Sequence, residues 1–126
     1  MNYLAMFFSC LLALTGISFA DPPGKLVGRW QMKAPPGQSL ITAYRSDGTF
    51  DVFVNKKILA SGTYRLSKDT LSIADPTCGN GYYGHYRLAF ITADSVSQVY
   101  LQDSCTARRE TITGSPTMGR IKVTKL

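Results

Sequence analysis

The run Leu26-Val27-Gly28-Arg29-Trp30-Gln31-Met32 holds the single tryptophan of this 126-residue chain and alternates between two kinds of side chain. In an extended strand successive side chains point to opposite faces, so Leu26, Gly28, Trp30 and Met32 share one face while Arg29, Gln31 and Lys33 share the other. Such a strand has a dry side and a wet side. It needs neighbours that bury the tryptophan face, and the sequence on its C-terminal side supplies them.

On the N-terminal side, Met1 to Ala20 has no Lys, Arg, Asp or Glu, is apolar from Tyr3 to Leu14, and ends in Ser18-Phe19-Ala20 after Thr15-Gly16. This is the pattern of a cleavable signal peptide, which implies an exported protein, periplasmic or extracellular. The usual basic residue near the start is missing, so a retained membrane anchor and lipidation at Cys10 are the alternatives. With residues 1–20 as leader, residues 21–126 make one domain around a single core. That domain carries the whole formal charge of +6. Its basic residues are scattered, with Lys56-Lys57 and Arg108-Arg109 as the adjacent pairs, which is the distribution of a solvated surface rather than a binding patch.

Asp21-Pro22-Pro23-Gly24 and Ala34-Pro35-Pro36-Gly37-Gln38 bracket the first strand, since paired prolines remove donors from any ladder. Leu40 to Ser46 and Thr49 to Asn55 flank Asp47-Gly48, a strong hairpin signal, with Phe50, Val52 and Val54 facing inward opposite Leu40, Thr42 and Tyr44. Asn55-Lys56-Lys57 turns the chain into Ile58 to Leu66, where Ala60, Gly62, Tyr64 and Leu66 share a face. Ser67-Lys68-Asp69 turns it again into Thr70 to Ala74, and Asp75 to Gly81 is an ordered loop holding Cys78. Alternation resumes with Tyr82, Gly84, Tyr86, Leu88 and Phe90 on one side and Tyr83, His85 and Arg87 on the other. In Val96 to Gln102 the inward residues are expected to be Val99 and Leu101 rather than Tyr100. One helical turn is expected around Ala107 to Thr111, capped by Thr106, before a last strand, Gly119 to Lys125, with Ile121 and Val123 inward.

The fold class is therefore all-β, with about eight short antiparallel strands. An up-and-down barrel is the natural closure, because it removes sheet edges and encloses room for side chains or one small ligand. Loss of the leader takes Cys10 with it and leaves Cys78 and Cys105 in an oxidising compartment, where one disulfide is expected. Closing a loop of about 28 residues is worth about 3.5 kcal/mol in the chain-entropy account. Neither cysteine sits in a C-x-x-C motif, and two distant cysteines with one histidine make a poor zinc set. No metal and no cofactor is expected.

Gly28-x-Trp30, Tyr44-Arg45-Ser46-Asp47-Gly48-Thr49-Phe50, Gly62-Thr63-Tyr64-Arg65-Leu66 and Asp69-Thr70-Leu71-Ser72-Ile73 resemble, in that order, the secreted bacterial lipocalin-like domain proteins. The resemblance covers most of residues 21–126 and extends to Asp103-Ser104-Cys105-Thr106-Ala107-Arg108 ahead of the last strand. It implies a calycin-type barrel in which the tryptophan closes one end and an arginine near the last strand packs across it. Gly28 and Trp30 occupy the motif positions, and Arg120 is the candidate arginine for a structural cation–π contact worth roughly 0.5–2 kcal/mol. The chain is much shorter than full-length lipocalins and has no evident C-terminal helix.

Trp30 and the rings of Tyr44, Phe50, Tyr64, Tyr82, Tyr86 and Phe90 either fill the barrel or line an apolar cup. In the second case those last six are the candidate ligand-binding residues, for a small apolar or amphipathic molecule met by tyrosine hydroxyls. A catalytic constellation is missing: His85 alternates outward beside Arg87, no G-x-S-x-G elbow occurs, and Asp47, Asp51, Asp69 and Asp75 fall at turns or outward positions. A basic barrel with aromatics raises the possibility of an OB-fold, but the leader argues against nucleic acid and toward acidic envelope components as partners. The protein is expected to be a monomer. Small periplasmic metalloprotease inhibitors also resemble the pattern, with a leader, a disulfide and a Gly-x-Trp opening strand. That likeness implies a protease-binding role for Asp21 to Lys25.

Overall fold

Residues that accept a positive φ set the hairpins, and the computed structural model, which describes residues 23–33 and 36–122, shows where. Strand β1 (Gly28–Met32) leads to β2 (Leu40–Tyr44), and β2 turns into β3 (Thr49–Val54) through Gly48, whose φ is +88°. The Gly48 N–H donates to the Arg45 carbonyl at 3.2 Å and the Arg45 N–H to the Thr49 carbonyl at 2.9 Å, so the loop is one residue longer than a two-residue Asp-Gly turn. Between β3 and β4 (Lys57–Ser67) sit Asn55 and Lys56, both at positive φ, as a two-residue turn of that hand requires. Lys68, at φ +55°, turns β4 into β5 (Thr70–Ala74). The chain continues through β6 (Gly84–Thr92), β7 (Ser95–Gln102), helix α1 (Thr106–Gly114) and β8 (Thr117–Arg120).

All eight strands pair antiparallel in chain order and β8 closes on β1, giving a closed up-and-down barrel. The expected register of the first hairpin is the observed one, with Leu40 opposite Val54, Thr42 opposite Val52 and Tyr44 opposite Phe50. Leu26, Trp30, Phe50, Leu71, Tyr86 and Met118 form the driest part of the core. Connections alternate between two ends. The β1–β2, β3–β4 and β5–β6 links and α1 gather at one, the helix end, and the remaining turns at the other, the tryptophan end.

The tryptophan end is closed by Arg120. Its guanidinium carbon stands 4.3 Å from the Trp30 ring centroid, and its Nη1 and Nη2 donate to the Val27 and Lys25 carbonyls, each at 2.8 Å. The indole N–H donates to the Leu26 carbonyl at 2.8 Å. Gly28 makes room for this arrangement: at φ +130°, an added Cβ would lie 2.7 Å from Arg120 Nη1.

The later part of the chain departs from the sequence reading in several places. In β7, Val96 and Gln98 face inward, whereas Val99 and Leu101 are about 40% exposed. Cross-strand partners in an antiparallel pair share a face, and β7 takes its faces from Phe90 opposite Val96 and Leu88 opposite Gln98. A register shift between His85 and Tyr86 leaves Leu101 without an opposite residue. The helix is longer than one turn and its N-cap is Cys105, not Thr106, with no side-chain capping bond. The last strand lies earlier than expected, with Met118 buried inward and Ile121 beyond the strand end. Val123 and the expected leader lie outside the described residues.

Candidate functional site

Helix α1 crosses the helix end and roofs a cavity of about 240 Å³. Met32 from β1, Leu40 from β2, Phe50 and Val52 from β3, Ile73 from β5 and Ile112 from α1 make its wall largely apolar. The strand positions follow from alternation: Met32, Leu40, Val52 and Ile73 are inward residues toward the helix end of their strands, and Phe50 lies deeper, near the β2–β3 turn. Leu59 stands at the rim, 67% exposed, because an irregularity in the β3–β4 pairing leaves it without an opposite residue. A second recess of about 410 Å³ adjoins the cavity and shares Leu40, Leu59 and Thr111 with it.

The disulfide sets the roof. Cys78, in the β5–β6 loop, is bonded to Cys105, the residue that starts α1. Beneath it, Arg108 donates to Asp103 from Nε at 2.7 Å and from Nη2 at 2.9 Å, and to Asp75 from Nη1 at 3.1 Å. Asp103 also accepts from the Tyr86 hydroxyl at 2.6 Å and from the Cys105 N–H at 3.0 Å. All of these charges are buried, which is tolerable only because each is paired and hydrogen-bonded. Burial pushes the Asp103 carboxyl up, but the bonds from Arg108, Tyr86 and Cys105 outweigh it and hold it below the ordinary carboxylate value. Burial, and then the bond to Asp103, push the Tyr86 phenol far up. The network therefore remains ion-paired around a neutral tyrosine.

Asp75 and Arg108 correct the expectation of solvated charges: both are buried and both border the cavity. Sequence reasoning missed them because they meet across 33 residues of chain. It also missed Gln98, only 4% exposed on the cavity wall. The Gln98 Nε2 has no hydrogen-bond partner, and the Ser115 hydroxyl in the adjoining recess has none either. An orphaned buried donor of this kind costs about 1–3 kcal/mol.

The six aromatic candidates divide. Tyr44 and Phe50 line the cavity, and burial, then the neighbouring Tyr64, push the Tyr44 phenol up so that it stays neutral. Tyr64 packs edge-on against Tyr44 at 4.9 Å and donates to the Arg45 carbonyl. Tyr86 is committed to Asp103. Tyr82 precedes β6 instead of starting it, and its oxygen accepts from the Ser104 N–H at 2.6 Å. Phe90 belongs to the tryptophan end, 6.2 Å from Trp30.

His85 lies on the outer face of β6, its Nδ1 2.8 Å from the Ser72 hydroxyl. Of the expected inhibitory segment, the described part is a single 3₁₀ turn, Pro23–Lys25. The Arg120 bond to the Lys25 carbonyl ties the end of that turn to the barrel. Among the described residues no helix is long and apolar enough to cross a membrane.

No protein-family profile matches the sequence, and no curated protein does. Among solved structures, the barrel is similar to that of a protein from Bacteroides uniformis ATCC 8492 determined by NMR. The TM-score is 0.55 at 15% identity, over 82% of this chain and 94% of that one. At that identity the likeness is one of fold. The closed eight-strand antiparallel barrel is consistent with a calycin-like architecture.

Proposed function

We propose that this chain is an exported, non-enzymatic, lipocalin-like barrel that binds a small apolar or amphipathic molecule at its helix end. The observation that carries this reading is the apolar cavity under α1, with an unpartnered amide donor on its wall. A well-formed apolar pocket with a few convergent polar groups is the usual form of a small-molecule site. At the other end Arg120 covers the Trp30 ring, and the recess of about 410 Å³ there is bordered by Lys25, Lys68 and Asp69 and has no buried unpartnered donor among the described residues. In this reading Tyr44 and Phe50 contact the ligand, Leu59 guards access, and the disulfide-anchored helix is the roof. The Cys78–Cys105 bond supports export, because such bonds persist in oxidising compartments.

Native mass spectrometry of protein recovered from its own compartment tests the reading. The expected result is an added mass released by organic solvent. A clean unliganded mass, together with unchanged NMR signals of Tyr44, Phe50 and Ile112 on addition of small apolar molecules, would count against it.

A further inference from the structure

Among the described residues, Gln98 carries the one fully buried side-chain donor on the cavity wall that has no partner. Its backbone N–H donates to the Pro116 carbonyl at 2.7 Å, a bond any residue could make. Its cross-strand partner is Leu88, and its Nε2 has no acceptor. The hydroxyls of Thr42 and Tyr44 also face the cavity, while Asp75 and Thr111 are already engaged. The Asp75 carboxylate accepts from the Thr77 N–H and from Arg108, and the Thr111 hydroxyl donates to the Ala107 carbonyl. A valine or leucine at this position would fill the same space without the desolvation cost of an amide. The side chain thus holds a spare donor at the cavity wall.

Charge narrows the class of ligand. Among the described residues Arg108 is the one cation on the cavity wall, and it is shared by two carboxylates, Asp75 and Asp103. Within the cavity itself no unpaired positive charge faces an acidic head group, and Lys33 stands in the adjoining recess, beyond Leu40 and Leu59. Size narrows it again: a cavity of roughly 150 Å³ accommodates benzene, so 240 Å³ accommodates about ten non-hydrogen atoms.

We propose that the cavity selects a neutral, mostly apolar molecule carrying a hydrogen-bond acceptor such as a ketone or ester oxygen, which docks on Gln98 Nε2, and that it discriminates against carboxylates. This rests on the reading of the cavity as a binding site. Benzylacetone, butylbenzene and phenylbutyrate share one phenylbutyl skeleton and differ in the polar group. Their affinities for the full protein and for Gln98→Met, measured by NMR titration at neutral pH, test the proposal.

In the natural protein, benzylacetone is expected to bind at least tenfold more tightly than phenylbutyrate, with its carbonyl stretch lowered in the bound state. In Gln98→Met, the affinity ratio of benzylacetone to butylbenzene is expected to fall about tenfold, the scale of one hydrogen bond. An unchanged ratio, an unshifted carbonyl stretch or tight binding of phenylbutyrate overturns the acceptor preference and leaves the binding-site reading standing. Failure of all three probes to bind the natural protein overturns both. The carbonyl stretch is read on the natural protein, so the proposal stays falsifiable if Gln98→Met does not fold.

Discussion

Arg108 of α1 grips Asp103, the residue just past β7, with two parallel hydrogen bonds from its guanidinium, at 2.7 and 2.9 Å, and both side chains are buried. This pair fixes the first turn of α1 against the end of β7 and thereby sets the height of the cavity roof.

Arg108→Met leaves Asp103 and Asp75 buried without their counter-charge, and a loss of about 3–5 kcal/mol is expected in urea unfolding. Adding Asp103→Leu alone is expected to recover little of that loss, because Asp75 stays buried without its counter-charge and the Tyr86 hydroxyl and Cys105 N–H lose their acceptor. A single substitution costing under about 1 kcal/mol would show that the pair is not buried as described.

The same pair makes stability depend on acid. The Asp103 carboxyl is held below its unfolded value, so its contribution is complete above the unfolded carboxylate pKa of about 3.9 and is lost as the pH falls through the lower folded value. Stability is therefore expected to be flat with respect to Asp103 from about pH 5 upward and to drop below about pH 4. Direct NMR titration of the Asp103 carboxyl checks this, and a midpoint above 4 contradicts it.

At the other end, Arg120→Met removes the stack on Trp30 and the bonds to the Val27 and Lys25 carbonyls, and a loss of about 2–3 kcal/mol is expected. Arg120→Lys is expected to recover less than half, because an ammonium cannot span both carbonyls while lying flat on the indole. Thermal unfolding and the tryptophan emission maximum report the two effects. Gly28→Ala is expected to mimic Arg120→Met, since its methyl would displace the guanidinium from a backbone already at φ +130°.

Removing the disulfide with Cys78→Ser and Cys105→Ser is expected to cost about 3.5 kcal/mol overall. The local effect is more telling: amide exchange in α1 is expected to accelerate more than in β2 and β3, because Cys105 begins the helix. Uniform acceleration across the barrel would show that the bond does not act through the roof.

Val99→Thr and Leu101→Thr are expected to change stability by no more than about 0.5 kcal/mol, while Val96→Ala costs about 2 kcal/mol. The reverse pattern in urea unfolding would place β7 in the opposite facing.

The contrast within β7 explains where the sequence is legible. From β1 to β5 the inward residues and turns are readable because both signals are local: a period of two, punctuated by Gly48, Asn55, Lys56 and Lys68. In β7 the apolar residues Val99 and Leu101 point outward and polar Gln98 points inward. Pairing with β6, with register shifts on either side, outvotes hydropathy there.

The candidate site shows the same division. Tyr44 and Phe50 were readable as inward rings, whereas Gln98, Asp75 and Arg108 were not, since nothing near them in the chain marks them as buried. Taken alone, the sequence determined an all-β barrel, its early registers, its disulfide pair and the tryptophan strand, because alternation, turn residues and cysteine count act over short stretches or need no geometry. Only the tertiary structure decided which end is roofed, which rings border a cavity and where an amide is left without an acceptor. Those depend on contacts between residues far apart in the chain, and burial at such a contact is a property of the closed barrel, not of any segment within it.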